Sequence, residues 1–493
     1  MLGRIHLAVL ALIVFAVALG LDAQTVDCGC ETAPLGPAWA KLNGKPIAET
    51  DVDRSVVTGV ADLQKQVVDF RKGQLDVLIN SRVLDLEAAK LKVTADQLLQ
   101  NEVNAKATPP SEAELQAYFT TNKAAIETQA GRTITFPEIR DRLRDYLIDQ
   151  NKQDRAKAYA DQLRISYGVK KLVVEAPVPK TPADLQRVLA TIGTASIRSD
   201  DVEKSLRPLI YRTQTEVYRR RKDALDMVIN DNLLKVEATK RGITPQALLD
   251  AEVTSKVPTI TDAAAQAFFD QNKARLKGDF AQLKTQIVQY LQEQEQQELE
   301  KAVADRLRAA AQIQYLLPPP VPPTYAIDLT DRPIMGTPTA PVTITAFVDY
   351  QCSTCAAFHD TLLRVVRESN GKARLAFLNY PLDQHKDARN AAAAAEAARE
   401  QGRFWEYVAL LYKNQADLSI PRLKELATTA GLDRAKFDAA LDGGKFRALV
   451  EKDARAGDAI GVGATPTIFI NGRPTDAYDY VDLKKAIDAA LKP

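Results

Sequence analysis

Two cysteines with two residues between them, Cys352 and Cys355, follow a β-branched and aromatic run, PVTITAFVDY, that starts at Pro341. The run has the composition of a core strand, and the motif lies where that strand gives way to a helix. Cys-x-x-Cys at such a junction permits reversible disulfide chemistry. Cys352 falls at the helix N-terminus, where unpaired backbone N–H groups and the helix dipole stabilise a thiolate, while Cys355 lies one turn on and largely buried. Cys352 is expected to attack or present a mixed disulfide, and Cys355 to resolve it. The competing chemistry, half of a zinc site, needs a second pair of ligands. Neither this pair nor Cys28 and Cys30 has one nearby in the chain, and the histidines are only His6, His359 and His385. No metal is expected, and no cofactor beyond the redox-active disulfide Cys352–Cys355.

About 110 residues further on, GVGATPT at 461 to 467 leads into IFING, a short strand and turn. A proline at the head of a strand cannot donate to the ladder, so Pro466 needs a reason to be there. Asp349, three residues before Cys352, is either an acid serving the thiols or a strand-end residue. His359, one turn past Cys355, is expected at the surface or partly buried rather than in the chemistry.

The segments FVDYQCSTC, FLNYPL with His385, AAAAAEAAREQGRFWEYVALLY, LKELATTAGLD and GVGATPTIFINGR resemble the Dsb family of exported thiol oxidoreductases over residues 334 to 493. The resemblance implies an α/β thioredoxin-like domain carrying a helical insertion. It also implies that Thr465–Pro466 is a cis bond facing the cysteines, with the Thr465 backbone free to pair with an extended substrate. The sequence departs from the family at two places. Ser353–Thr354 stands between the cysteines in place of a dipeptide with Pro or His, and Ala346 stands six before Cys352, where many relatives bury an acid.

The elements upstream repeat. Shifted by 150 residues, LDVLINSRVLDLEAAKLKVTADQLLQ from Leu75 meets LDMVINDNLLKVEATKRGITPQALLD from Leu225; beyond Ala124 the offset drops to 144. Leu75, Ile79, Val83 and Leu86, matched by Leu225, Ile229, Leu233 and Val236, form one apolar stripe per helix. Thr94 and Thr244 stand at N-caps. Long charged helices are expected over 137 to 165 and 279 to 311, lying solvated over the bundle. The reading gives a helical copy over 36–177, a second over 183–317, a Pro-rich linker over 318–333 and the α/β domain over 334–493. WAKLNGKPIAETDV and the helices after it resemble the N-terminal chaperone domain of SurA- and PrsA-type folding factors, which implies that the two mostly α-helical domains hold unfolded clients. Only residues 125 to 136 or 275 to 279 stand where those factors insert a parvulin domain, so no prolyl isomerase activity is expected. ATIGTAS in the second copy replaces the Asn43–Gly44 turn and puts its first element in doubt.

With 65 Lys plus Arg against 64 Asp plus Glu, the chain has no general attraction to nucleic acid, and no nucleic-acid partner is expected. Arg4 followed by the apolar run Leu7 to Leu21 reads as a signal peptide over residues 1–23, with N-terminal membrane anchoring as the alternative. Cys28 and Cys30 leave several readings open, among them a strained disulfide, a lipid site and a processed terminus. The expected function is thiol–disulfide exchange on unfolded or cysteine-containing exported proteins, in the periplasm or at the extracytoplasmic surface, served by a membrane or soluble redox partner. The competing readings are a non-catalytic holdase and a dedicated assembly factor.

Overall fold

The structure, a computed structural model, describes residues 35–273 and 276–492; the expected signal peptide and Cys28 and Cys30 lie outside the described residues. A large helical N-terminal region precedes a mixed α/β domain interrupted by helices. The described chain divides into two compact units, one of residues 67–210 and 322–492, the other of residues 35–66 and 211–321.

The two helical copies are therefore not closed on themselves. In the first unit, the hairpin Val188–Ile192 and Ala195–Arg198 belongs to the second sequence copy, yet it pairs with Val169–Lys171 at the end of the first. It covers Leu75, Ile79 and Val83 from the first copy's helix Arg54–Leu91, together with Leu163 from Phe136–Ser166. The second unit mirrors this arrangement. Its hairpin, Ala40–Leu42 and Lys45–Ile47, pairs with Ile313–Tyr315 and covers Leu225, Ile229 and Leu233 of the helix Ser199–Arg241. Self-comparison of a repeat identifies equivalent segments but not which copies pair, because either partner offers the same apolar surface.

ATIGTAS does form a hairpin turn, with Gly193 at φ 56° where Asn43 and Gly44 take φ 49° and 81° in the other. The expected stripes are one turn too long. Leu75, Ile79, Val83, Leu225, Ile229 and Leu233 are buried, but Val236 is 61% exposed and Leu86 only half-buried. One polar fastening recurs in both copies. Arg164 donates to Asn80 at 2.7 Å and pairs with Asp76 at 3.0 Å; Arg308 does the same to Asn230 and Asp226, each at 2.9 Å. Among the residues of the long helix Phe280–Ala309 only Ile287 and Val303 are buried, which fits a solvated helix.

The C-terminal domain is built on a five-stranded sheet. Its central strand Val342–Val348 lies parallel to Ala373–Asn379 and antiparallel to Thr467–Ile470; Ile334–Gly336 and Arg473–Thr475 form the edges. VTITAFV is buried at six of its seven positions, as a central strand covered on both faces requires. The expected insertion is five helices between Asn379 and Thr467: Ala388–Glu400, Phe404–Lys413, Ile420–Thr429, Arg434–Asp442 and Arg447–Ala459. Ala391 to Ala395, Phe404, Tyr407 and Leu411 join one core with the strand residues Val342, Ile344 and Leu375 and the helix Ser353–Arg367. No helix of the described residues is long and apolar enough to cross a membrane.

Candidate active site

The central strand delivers the chain through Asp349, Tyr350 and Gln351 to Cys352, which is the N-cap of Ser353–Arg367 with φ −77° and ψ 121°. Cys352 thus has the helix-end position expected of it, and only 8% of it is accessible, because strand, helix and the 465–466 turn close around it. Cys355 is 2% exposed, and both cysteines are free thiols.

The two sulfurs are electrostatically unequal. The Cys352 pKa is lowered from 9.0 to about 5, first by the hydrogen bond from the Cys355 thiol, against burial, and then by Thr465 and the amides of Cys355 and Thr354 at the helix start. Burial, followed by the nearby Cys352 sulfur, pushes the Cys355 thiol far above its ordinary value. One member of the pair is poised to be a thiolate at neutral pH while the other keeps its proton.

Thr465 and Pro466 lie beside Cys352, and Thr465 is buried. Their peptide bond is cis, and the Cys352 thiol donates to the Thr465 carbonyl at 3.3 Å. Pro466 immediately precedes the strand Thr467–Ile470, outside the ladder that pairs Thr467 with Phe347, so its missing N–H costs no pairing.

Asp349 is a strand-end anchor. Its buried carboxylate accepts from the Gln351 amide at 2.7 Å, and from the Leu382 amide and the His385 ring at 2.8 Å each. These bonds tie the loop after Ala373–Asn379 to the residues just before Cys352. Gln351 adds to the tie, accepting from the Asp387 amide at 3.0 Å. His359 is not at the surface. It is 4% exposed, its ring stacks at a tilt against Tyr412 with centroids 5.0 Å apart, neither ring nitrogen has a protein partner, and burial lowers its pKa. The sequence placed it on the right helix but on the wrong face.

Four contributors escape sequence reasoning. Gln415, in the insertion, donates to the carbonyls of Tyr350 at 3.0 Å and Cys352 at 2.8 Å, fixing the approach to the helix from 63 residues away. No spacing rule connects a glutamine at that distance to the motif. Tyr350 and Tyr412 are buried with hydroxyls that have no protein partner, and their rings lie 5.6 Å apart. Glu396 is fully buried; here a signal did exist, since it is the one charge within the alanine run 391–398.

A family model described as Thioredoxin matches residues 329–489. Among curated proteins, the chain is 33% identical over 160 residues to Na(+)/H(+) antiporter NhaA 1 of Mycolicibacterium gilvum (strain PYR-GCK), covering 32% of this chain and 26% of the antiporter. It is 28% identical over 173 residues to Disulfide bond formation protein D of Bacillus subtilis (strain 168), covering 33% of this chain and 78% of that protein. The chain thus spans about a quarter of the length of the antiporters it matches. The solved structure of oxidised BdbD from Bacillus subtilis matches with 26% identity and a TM-score of 0.33, over 35% of this chain and 99% of that one. The matched residues are those that build the sheet, the insertion and the cysteine pair, and the C-terminal third of the chain is a thioredoxin-like domain with a helical insertion.

Proposed function

We propose that the protein is an extracytoplasmic thiol–disulfide oxidoreductase that acts on unfolded or partly folded cysteine-containing proteins. The observation that carries this reading is the inequality of the pair: a Cys352 lowered to about 5 beside a Cys355 held protonated. A thiolate stabilised in the reduced form makes the disulfide form the stronger oxidant, so oxidation of clients is the favoured direction. The name of the Bacillus subtilis relative, Disulfide bond formation protein D, agrees with that direction. The SurA- and PrsA-like helical copies would hold clients near Cys352, and a membrane or soluble redox partner would reoxidise the pair.

Equilibration of the protein with glutathione tests the direction. The reading expects a potential between the roughly −270 mV of thioredoxin and the roughly −120 mV of DsbA, together with catalysed disulfide formation in a reduced, unfolded substrate. A potential below that of thioredoxin, with no oxidation of the substrate, would reject it.

A further inference from the structure

The amides that favour a Cys352 thiolate belong to Cys355 and Thr354, so their effect depends on how the backbone is held as it turns from strand into helix. The polar groups along that turn can be followed one by one. The Gln351 amide donates to Asp349 Oδ1 at 2.7 Å, and the Cys352 amide donates to the Asp349 carbonyl at 3.2 Å. The carbonyls of Tyr350 and Cys352 accept from a single side-chain amide, Gln415 Nε2, at 3.0 and 2.8 Å. An amide nitrogen carries two hydrogens, enough to serve both. The Cys352 carbonyl also accepts from the Ala356 amide at 3.2 Å, the bond that opens the helix.

Gln415 is itself firmly held. Asn414 is the C-cap of Phe404–Lys413; its Nδ2 donates to the Leu410 carbonyl at 2.8 Å and its Oδ1 accepts from Arg422 at 2.7 Å. On the other side Asp417 accepts from the Ser419 amide at 3.0 Å, and Leu418 is fully buried. With both flanks anchored, little further freedom is lost when the side chain makes its two bonds, so they act as a clamp. The electrostatic sense of that clamp is definite. A carbonyl oxygen in the same residue as a thiolate adds negative potential at the sulfur, and a donor bonded to that oxygen offsets it. The ionisable groups around the sulfur do not supply such a donor. Burial keeps Cys355, on the same helix, and the phenols of Tyr350 and Tyr412 neutral, and the Asp349 side chain at the strand end is an acceptor.

We propose that Gln415 is a positioning residue for disulfide exchange: by clamping the Tyr350 and Cys352 carbonyls it holds the helix start in the orientation that favours a Cys352 thiolate, and so sets the oxidising strength of the pair. This rests on the exchange chemistry proposed above. The equilibrium concerned is reduction of the Cys352–Cys355 disulfide by two glutathione thiols. Their sulfurs join as glutathione disulfide, and two electrons pass to the protein pair. Cys352 becomes a thiolate, Cys355 takes one of the two protons, and the other goes to solvent. Whatever stabilises that thiolate drives the reduction, so loss of the clamp makes the disulfide a weaker oxidant. The helical insertion thereby acts on the chemistry through the backbone of the motif.

The test uses the full chain with Cys28→Ser and Cys30→Ser as the reference. Against it stand Gln415→Met, which keeps the length of the side chain and removes the donor, and Gln415→Glu, which sets a carboxylate against the two carbonyls. The Cys352 midpoint is read from the thiolate absorbance of the reduced protein across pH, and the oxidising strength from equilibration with glutathione. The midpoint should rise by about one unit in Gln415→Met and further in Gln415→Glu, and at neutral pH the Gln415→Met disulfide should be a weaker oxidant by about tenfold. Thiolate stabilisation is lost as pH falls through about 5, so the difference in oxidising strength should shrink to within about twofold near pH 4. Should Gln415→Glu fail to fold, Gln415→Met decides alone. A lowered unfolding temperature in Gln415→Met with the Cys352 midpoint unmoved would overturn the proposal, as would a loss of oxidising strength that persists undiminished near pH 4. A reference protein that shows no thiolate below neutral pH, or no exchange with glutathione, would instead refute the exchange reading beneath it.

Discussion

At the scale of single residues, the molecule turns on how differently two neighbouring thiols are treated. Cys352 gains hydrogen bonds from Cys355 and the first amides of a helix, whereas Cys355 gains burial. The consequence for stability has a definite sign. A thiol whose folded pKa is lowered from 9.0 to about 5 stabilises the reduced fold fully above pH 9.0, and that contribution fades as pH falls through about 5. Cys355 adds nothing in this window, because it is protonated in both the folded and unfolded states below its ordinary value. Denaturant titration of the reduced protein against Cys352→Ser should therefore show a stability difference that grows from pH 5 to pH 8; a difference independent of pH would contradict the lowered thiol. The motif and its helix-end position were legible in the sequence, because short-range spacing encodes them; the cis Thr465–Pro466 bond was not, and was implied only by the family resemblance. Gln415 and Tyr412 were not, since they reach the site from an insertion whose path only the fold determines.

At the scale of elements, the periodicity read from the sequence holds to within one turn. Leu225 is fully buried while Val236, on the same nominal stripe, is 61% exposed. The hairpin Ala40–Leu42 and Lys45–Ile47 covers the stripe only as far as Leu233, and nothing in the local sequence marks where that cover stops. Leu225→Ala should cost about 2–5 kcal/mol, as large-to-small changes in a packed core do. Val236→Ala should fall within about 0.5 kcal/mol of wild type, the range of surface changes. Equal costs in thermal or denaturant unfolding would mean that the stripe is buried along its whole length.

At the scale of the whole molecule, the repeat is exchanged: each hairpin completes a core that takes in the apolar stripe of the other copy's long helix. The duplication was legible in the sequence, but the exchange was not, because both hairpins carry the same apolar pattern and either would fit either helix. Trp39 is 3% exposed and packs in the core of Leu225, Ile229 and Leu233. Trp39→Ala should accordingly speed hydrogen exchange at 224–233 and leave 75–83 protected, although 75–83 lies closer in sequence. Faster exchange at 75–83 alone would show that each copy closes on itself. The proposed chemistry is one act, capture of a client by Cys352 and its release by Cys355. The most direct measurement mixes Cys355→Ala and Cys352→Ala proteins, each with its remaining active-site cysteine reduced, with an unfolded client carrying an activated mixed disulfide. The products are then separated on a non-reducing gel. A stable covalent complex should form with Cys355→Ala and be absent from Cys352→Ala, because only Cys352 offers a thiolate at neutral pH and only Cys355 can release what it holds. Complexes of equal yield from the two variants would contradict the account.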